Sequence, residues 1–277
     1  MKRMPQPIRL FSLRLLLILA ICSGSTRGDS VTQQPHCFAG IPKSAFPKSV
    51  FSLLVNKAYS VGYSETLKDP VWSSYYVCWT NTPIKGPRPN RFQTDNRTAA
   101  KVTHDDYKHK PSLYDRGHMT PNYVILSRYG PAAQLETFLM SNICPQRSPL
   151  NQQTWRYLEH EISEEFSRQF ANLWVVCGPI FKGGPLHRLN DTAAIPDAFY
   201  MILVGVHEES PAPHMLAVVM DQNVRGMQPL RKFVQTVDAV EKKTGLDFFS
   251  ELPDQLENAL ETALPDEEWP LDILLHP

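Results

Sequence analysis

This sequence predicts an α+β fold: a mostly antiparallel central sheet flanked by helices. Three observations lead there. Short apolar or alternating runs, several bounded by Gly, Pro or Asn, recur along the chain and read as strands. Segments with apolar residues three and four apart fall between and after them and read as helices. The two kinds mix without regular strand–helix–strand alternation, which disfavours a parallel, doubly wound sheet. With 277 residues, 42% of them hydrophobic, the chain can bury a large core, and no repeat or linker divides it. The 24 prolines are scattered, so they mark loops and element ends rather than a disordered tract.

Residues 1–28 are expected to be a removable leader, followed by a single domain over 29–277 that ends in an acidic helical tail. Lys2, Arg3, Arg9 and Arg14 give a basic start, "LLLILAI" a short apolar centre, and "CSGSTRG" the small residues a signal peptidase needs. The apolar run is short for a membrane span. An uncleaved anchor, or a lipid on Cys22, are the competing readings. The expected destination is secreted or periplasmic, with no stable membrane association once the leader is cut.

The strands are expected in "FSLLVNKAYSVGY", "SSYYVCWT", "LWVVCGPIF", "FYMILVGV" and "MLAVVM". The clearest helix is "LNQQTWRYLEHEISEEFSRQFA", where Trp155, Leu158, Ile162 and Phe166 make one buried stripe. A second is expected in "PLRKFVQTVDAVEKKTG", with Pro229 near its start and Gly245 as its stop. A third falls in "LPDQLENALETAL". The segment from Ile84 to Tyr114 is irregular, and long structureless segments in compact domains are usually functional or mobile.

Removing residues 1–28 takes away five basic residues and no acids, so the net charge moves from 0 to −5. The negative charge sits in the last 27 residues, which hold eight acids and no Lys or Arg. Between Thr82 and Met119 eight basic residues face four acids. Bulk charge therefore does not mark a nucleic-acid binder, but this basic flank suits a polyanionic substrate. The tail carries charge that could dock over it. Cys37, Cys78, Cys144 and Cys177 allow three disulfide pairings, or Cys177 is a small core residue, and none has metal-ligand spacing. Asn96 and Asn190 head glycosylation sequons.

The basic flank leads into "YDRGHMTPN" (residues 114–122), and "MSNICPQRSPLNQQTWRYLE" follows it. His118 can take a proton from water near neutral pH. Asn151, 33 residues on, offers an amide oxygen to a hard cation such as Mg²⁺, and Glu159 a carboxylate. On a straight helix Asn151 and Glu159 lie about 12 Å apart, so Glu159 acts through water unless the helix start is irregular.

DRGH, then SN-x-x-PQ, then LNQ-x-x-W-x-x-LE together resemble the DNA/RNA non-specific endonucleases. These share the ββα-metal, or His-Me finger, site. The resemblance implies His118 as general base and Asn151 as the single protein ligand of Mg²⁺, with Mn²⁺ as a substitute. It implies Glu159 as holder of the metal's waters and Arg116 beside the scissile phosphate. Asp115 would orient or support, Gly117 would accommodate the backbone, and Asn142 would support. One departure stands out. Where relatives often carry an arginine, "RPNRFQTD" has Asn90, so Arg88 or Arg91 is left to supply that substrate contact. Met201 stands where many relatives carry lysine. The implied activity is hydrolysis of DNA and RNA to 5′-phosphate and 3′-hydroxyl products, and a homodimer and a protein inhibitor are both compatible with it. The alternatives are a catalytically weakened nucleic-acid-binding or scaffold protein on the same fold, or a phosphodiesterase acting on another polyanion or a lipid head group.

Overall fold

β-branched and aromatic runs build the centre of the molecule. The computed structural model describes residues 36–45, 51–108, 113–210, 212–226 and 228–275; the expected leader lies outside them. Nine strands matter below: β1 (Ser52–Val55), β2 (Tyr59–Ser64), β3 (Asp69–Val77), β4 (Tyr114–His118), β5 (Ile143–Arg147), β6 (Asn172–Ile180), β7 (Ala198–Val206), β8 (Pro213–Asp221) and β9 (Val234–Gln235). Seven form one sheet in the order β9-β8-β7-β6-β3-β2-β1, antiparallel throughout. β4 and β5 pair separately. The five expected strand segments all fall in the large sheet, the first as the β1–β2 hairpin.

The sheet is buried on both faces. Along β6, Leu173, Val175 and Cys177 join one core, while Trp174, Val176 and Ile180 join another. β7 repeats this, with Phe199, Met201 and Leu203 against Tyr200, Ile202 and Val204. That is the period-two alternation of a pleated strand between two apolar layers.

Helices cover each face. Two short ones, α1 (Asn122–Tyr129) and α2 (Pro131–Thr137), turn at Gly130, whose φ of 85° favours glycine. The expected amphipathic helix, α3, runs over 150–169 and caps the first face. Its stripe of Trp155, Leu158, Ile162 and Phe166 is no more than 1% exposed. α3 is not uniformly wound. Leu150–Trp155 and Ile162–Phe166 have π geometry, and Arg156–Glu161 and Ser167–Gln169 are α-helical. α4 (Val237–Thr244) and α5 (Asp254–Thr262) lie on the second face, where Val237, Val240 and Leu260 pack.

The helix expected over 229–245 is a correction. Only 237–244 is α-helical; Leu230–Phe233 is a 3₁₀ turn, and β9 pairs with Val218 and Ala217 at the sheet edge. Thr236 begins α4 by accepting from the Ala239 N–H, and Gly245 ends it at φ 68°.

The acidic tail does not lie over the basic flank. Trp269, 2% exposed, packs on Phe166 and Phe170 with ring centroids 5.4 and 4.7 Å away. Leu274–Leu275 pairs with Gln228–Pro229. Glu268 meets His207 at 3.4 Å, Asp266 meets His214 at 2.6 Å, and Asp272 pairs with Arg231. Cys144 and Cys177 are buried free thiols; the Cys177 thiol donates to the Met119 carbonyl at 3.2 Å. Cys177 is thus the small core residue that its strand pattern suggests.

Candidate active site

Antiparallel pairing sets His118 opposite Ile143, Gly117 opposite Cys144 and Asp115 opposite Gln146. The chain then passes through Ser148 and Pro149 into α3, so two strands and a helix follow one another. Glycine at 117 is a packing requirement. A Cβ there would lie 2.4 Å from Gln146 Oε1 and 2.6 Å from Gln146 Cβ, and Gln146 is fully buried. Gly117→Ala is therefore expected to destabilise the fold by about 1–3 kcal/mol, the usual cost of overpacking. Urea denaturation would read this, and an unchanged midpoint would show that Gln146 yields freely.

Asp115 ties the hairpin to the helix. Its carboxylate accepts from Ser148 Oγ at 2.8 Å, Asn151 Nδ2 at 2.9 Å and Gln152 Nε2 at 2.8 Å. All three donors sit at the start of α3. Because Asn151 gives its Nδ2 to Asp115, its Oδ1 is turned away and stays available as an oxygen donor. Asn151 does not cap the helix: Pro149 holds that place, without a side-chain cap. The π turn also changes the distance argument. With Leu150–Trp155 wound i→i+5, Asn151 and Glu159 are not related as on a straight α-helix, and π segments recur at functional sites.

His118 is 9% exposed, and its Nε2 is buried without a hydrogen-bond partner among the described residues. Two aromatic rings hold it: Phe92 at 5.2 Å and Phe138 at 5.1 Å, the latter edge-on. Phe92 is delivered by the irregular segment. Gln93 N–H donates to the Phe138 carbonyl at 2.9 Å, and Met140 N–H to the Gln93 carbonyl at 2.8 Å. Asp95 pins the same segment, accepting from Ser141 Oγ at 2.6 Å and from Arg97. Burial, then the Arg88 charge, lowers the His118 imidazole to about 3, so it is neutral at physiological pH. A phosphate anion alongside would act in the opposite sense.

Glu159 is half-buried. Desolvation raises its carboxyl to about 8, against the Trp155 indole and the Arg88 and Arg156 charges, which favour the ionised form. The indole lies outside strict hydrogen-bonding geometry. A cation near Glu159 would favour the charged form further.

The two arginines that the sequence leaves open are both exposed and differ in their neighbours. The Arg88 guanidinium lies 5.1 Å from the Phe138 ring centre, and its charge acts on both His118 and Glu159. Arg91 acts instead on His104 and Asp105. Arg116 is half-buried and does not pair with Asp115. Its Nε and Nη2 donate to the His104 carbonyl at 3.2 and 2.7 Å, with Phe92 and Tyr107 beneath it. Asn142 is fully buried, and its amide bonds Thr120 N–H, Thr120 O and Thr137 O. It fixes the turn after His118 and has no surface to offer a substrate. Met201 is likewise core, opposite Cys177. The sequence reading missed Phe92, Phe138 and the π winding. "RF" beside a basic run was the only local hint of the first.

Comparison with known proteins agrees with this geometry. The sequence model of the family described as DNA/RNA non-specific endonuclease matches residues 39–255. A nuclease of Serratia marcescens is 27% identical over 260 residues, 91% of this chain and 94% of that one. Human mitochondrial endonuclease G is 27% identical over 169 residues, 57% of this chain and 55% of that one. A chain in the crystal structure of the EndoG/EndoGI complex superposes with a TM-score of 0.66 at 24% identity, covering 76% of this chain and 90% of that one. With its large antiparallel sheet and its strand–strand–helix unit carrying Asp115, His118 and Asn151, the chain belongs to the DNA/RNA non-specific endonucleases, and is a metal-dependent endonuclease of the ββα-metal fold.

Proposed function

We propose that this endonuclease is Mg²⁺-dependent, cuts DNA and RNA with little sequence preference, and uses His118 as the general base. The observation that carries the reading is the triple acceptance by Asp115, which couples the strand of His118 to the Asn151 amide and leaves Asn151 Oδ1 to ligate a cation. An amide oxygen with a nearby carboxylate suits a hard cation that keeps most of its water. Mg²⁺ held at Asn151, with Glu159 reaching its waters, would supply positive charge beside the phosphate, and Mn²⁺ could take its place.

The other parts fall to the chain's own residues. Neutral His118 takes the proton from the attacking water. Arg88, held over Phe138, places positive charge beside His118 and Glu159. Arg116 is oriented by His104, and its Nη1 has no hydrogen bond among the described residues, so it can meet a phosphate oxygen. Contacts of this kind reach phosphate and sugar, which is why sequence preference should be weak. Products with 5′-phosphate and 3′-hydroxyl ends complete the proposal.

Export through residues 1–28 is also proposed, on the leader's own pattern. A protein inhibitor is proposed by analogy with EndoG, whose solved complex concerns its inhibition. The decisive experiment incubates the purified full chain with plasmid DNA and with RNA, in Mg²⁺ or in EDTA. Both substrates should be degraded only with Mg²⁺. Survival of both in Mg²⁺ would leave a nucleic-acid-binding protein on the same fold.

A further inference from the structure

On the sheet face opposite α3, α4 and α5 bring together Asp238, Glu241 and Glu261. One carboxylate oxygen from each lies within 4.8 Å of the other two. Oxygens bound to one Ca²⁺ at about 2.4 Å can be at most about 4.8 Å apart, so this spacing fits a single ion. Acidic groups on a surface are common, but Glu261 is not on the surface. It is 6% exposed, and its Oε1 has no hydrogen-bond partner among the described residues. A buried carboxylate set against two others, one of its oxygens without a donor among the described residues, is expensive unless a proton or a cation fills the gap.

We propose that Asp238, Glu241 and Glu261 form a Ca²⁺ site that joins α5 to α4, separate from the nuclease centre. The surroundings favour a cation. Asp247 and Glu257 add to the negative field on both Glu241 and Glu261. Burial, then the charge of Glu241 and its acidic neighbours, raises Glu261 to about 8; burial first also raises Glu241 to about 7. Two groups partly oppose the field: Lys242, 3.8 Å from Asp238 and largely exposed, and the Phe248 N–H, which donates to Glu241 Oε1 at 2.8 Å. Glu241 keeps its other oxygen for the ion. Three carboxylates with room for water suit Ca²⁺, which takes six to eight oxygens in loose geometry, better than Mg²⁺ with its octahedral demand. Glu261 also lies past residue 255, where the family match ends, so one of the three ligands comes from outside the shared segment.

The test reads stability and binding, not cleavage. The full chain carrying Asn151→Ala, so that the nuclease centre contributes no cation, is stripped with EDTA and titrated with Ca²⁺. One equivalent should bind, and millimolar Ca²⁺ should raise the Tm by a few degrees. Adding Glu261→Gln should abolish both effects. Asp238→Asn, at a more exposed position, should weaken binding and serves if the buried variant fails to fold. No Ca²⁺-dependent rise in the parent, or an equal rise in both variants, overturns the site. An equal rise with Mg²⁺ overturns the choice of Ca²⁺. The result does not depend on whether the chain cuts nucleic acid.

Discussion

His118→Ala should slow cleavage of plasmid DNA and of RNA by roughly 10²–10⁴-fold, the range associated with a positioned general base. Among the described residues no other imidazole packs against both Phe92 and Phe138. His104 meets the Phe92 ring with centroids 6.0 Å apart, and His160 is an exposed residue of α3. The alanine also leaves a space between Phe92 and Phe138, so some stability is lost with the base. Rates should therefore be compared well below the variant's unfolding midpoint, with the midpoint measured in the same buffer. A variant that remains folded and cuts as fast as the parent removes His118 from the chemistry.

Asp115→Ala should have the second largest effect, and a different signature. Asp115 is a positioning residue, because it reaches the reaction only through Asn151. Without it, the Asn151 amide can rotate and present Nδ2 where Oδ1 should be. Losing a group that orients a metal ligand typically costs 10–100-fold in metal affinity or activity. The loss should shrink as Mg²⁺ rises. Asp115→Asn, which keeps one acceptor oxygen, should fall between parent and alanine. An equal loss at every Mg²⁺ concentration would mean that Asp115 supports the fold alone. Stability should change little, since Asn151 and Ser148 are only half-buried and Gln152 is exposed, so water can reach the orphaned donors.

The sequence displays what local periodicity can carry. Five strand segments and the stripe from Trp155 to Phe166 are visible because their apolar spacing repeats at two or at three and four. DRGH and LNQ-x-x-W-x-x-LE are visible because the chemistry needs those residue types close in the chain. What stays hidden depends on partners far along it. Leu230, Phe233, Val234, Val237 and Val240 have helical spacing, yet Val234 pairs with Val218 and the helix begins only after Thr236. Tertiary pairing overrides the local period there. Phe92 and Phe138 are 46 positions apart and meet only through the Gln93 and Met140 backbone bonds. Nothing in residues 150–155 announces π winding. The different surroundings of Arg88 and Arg91 likewise depend on the position of the Phe138 ring.

Trp269 has a bearing on where this protein ends. The segment shared with the family stops at residue 255. Fourteen residues later, this indole fills the back of the helix that carries Asn151 and Glu159, seated on Phe166 and Phe170. A chain cut at residue 255 would keep every candidate site residue and strip that helix of its rear wall. The border of the family match and the border of the packing thus differ, and the packing runs on behind the candidate site.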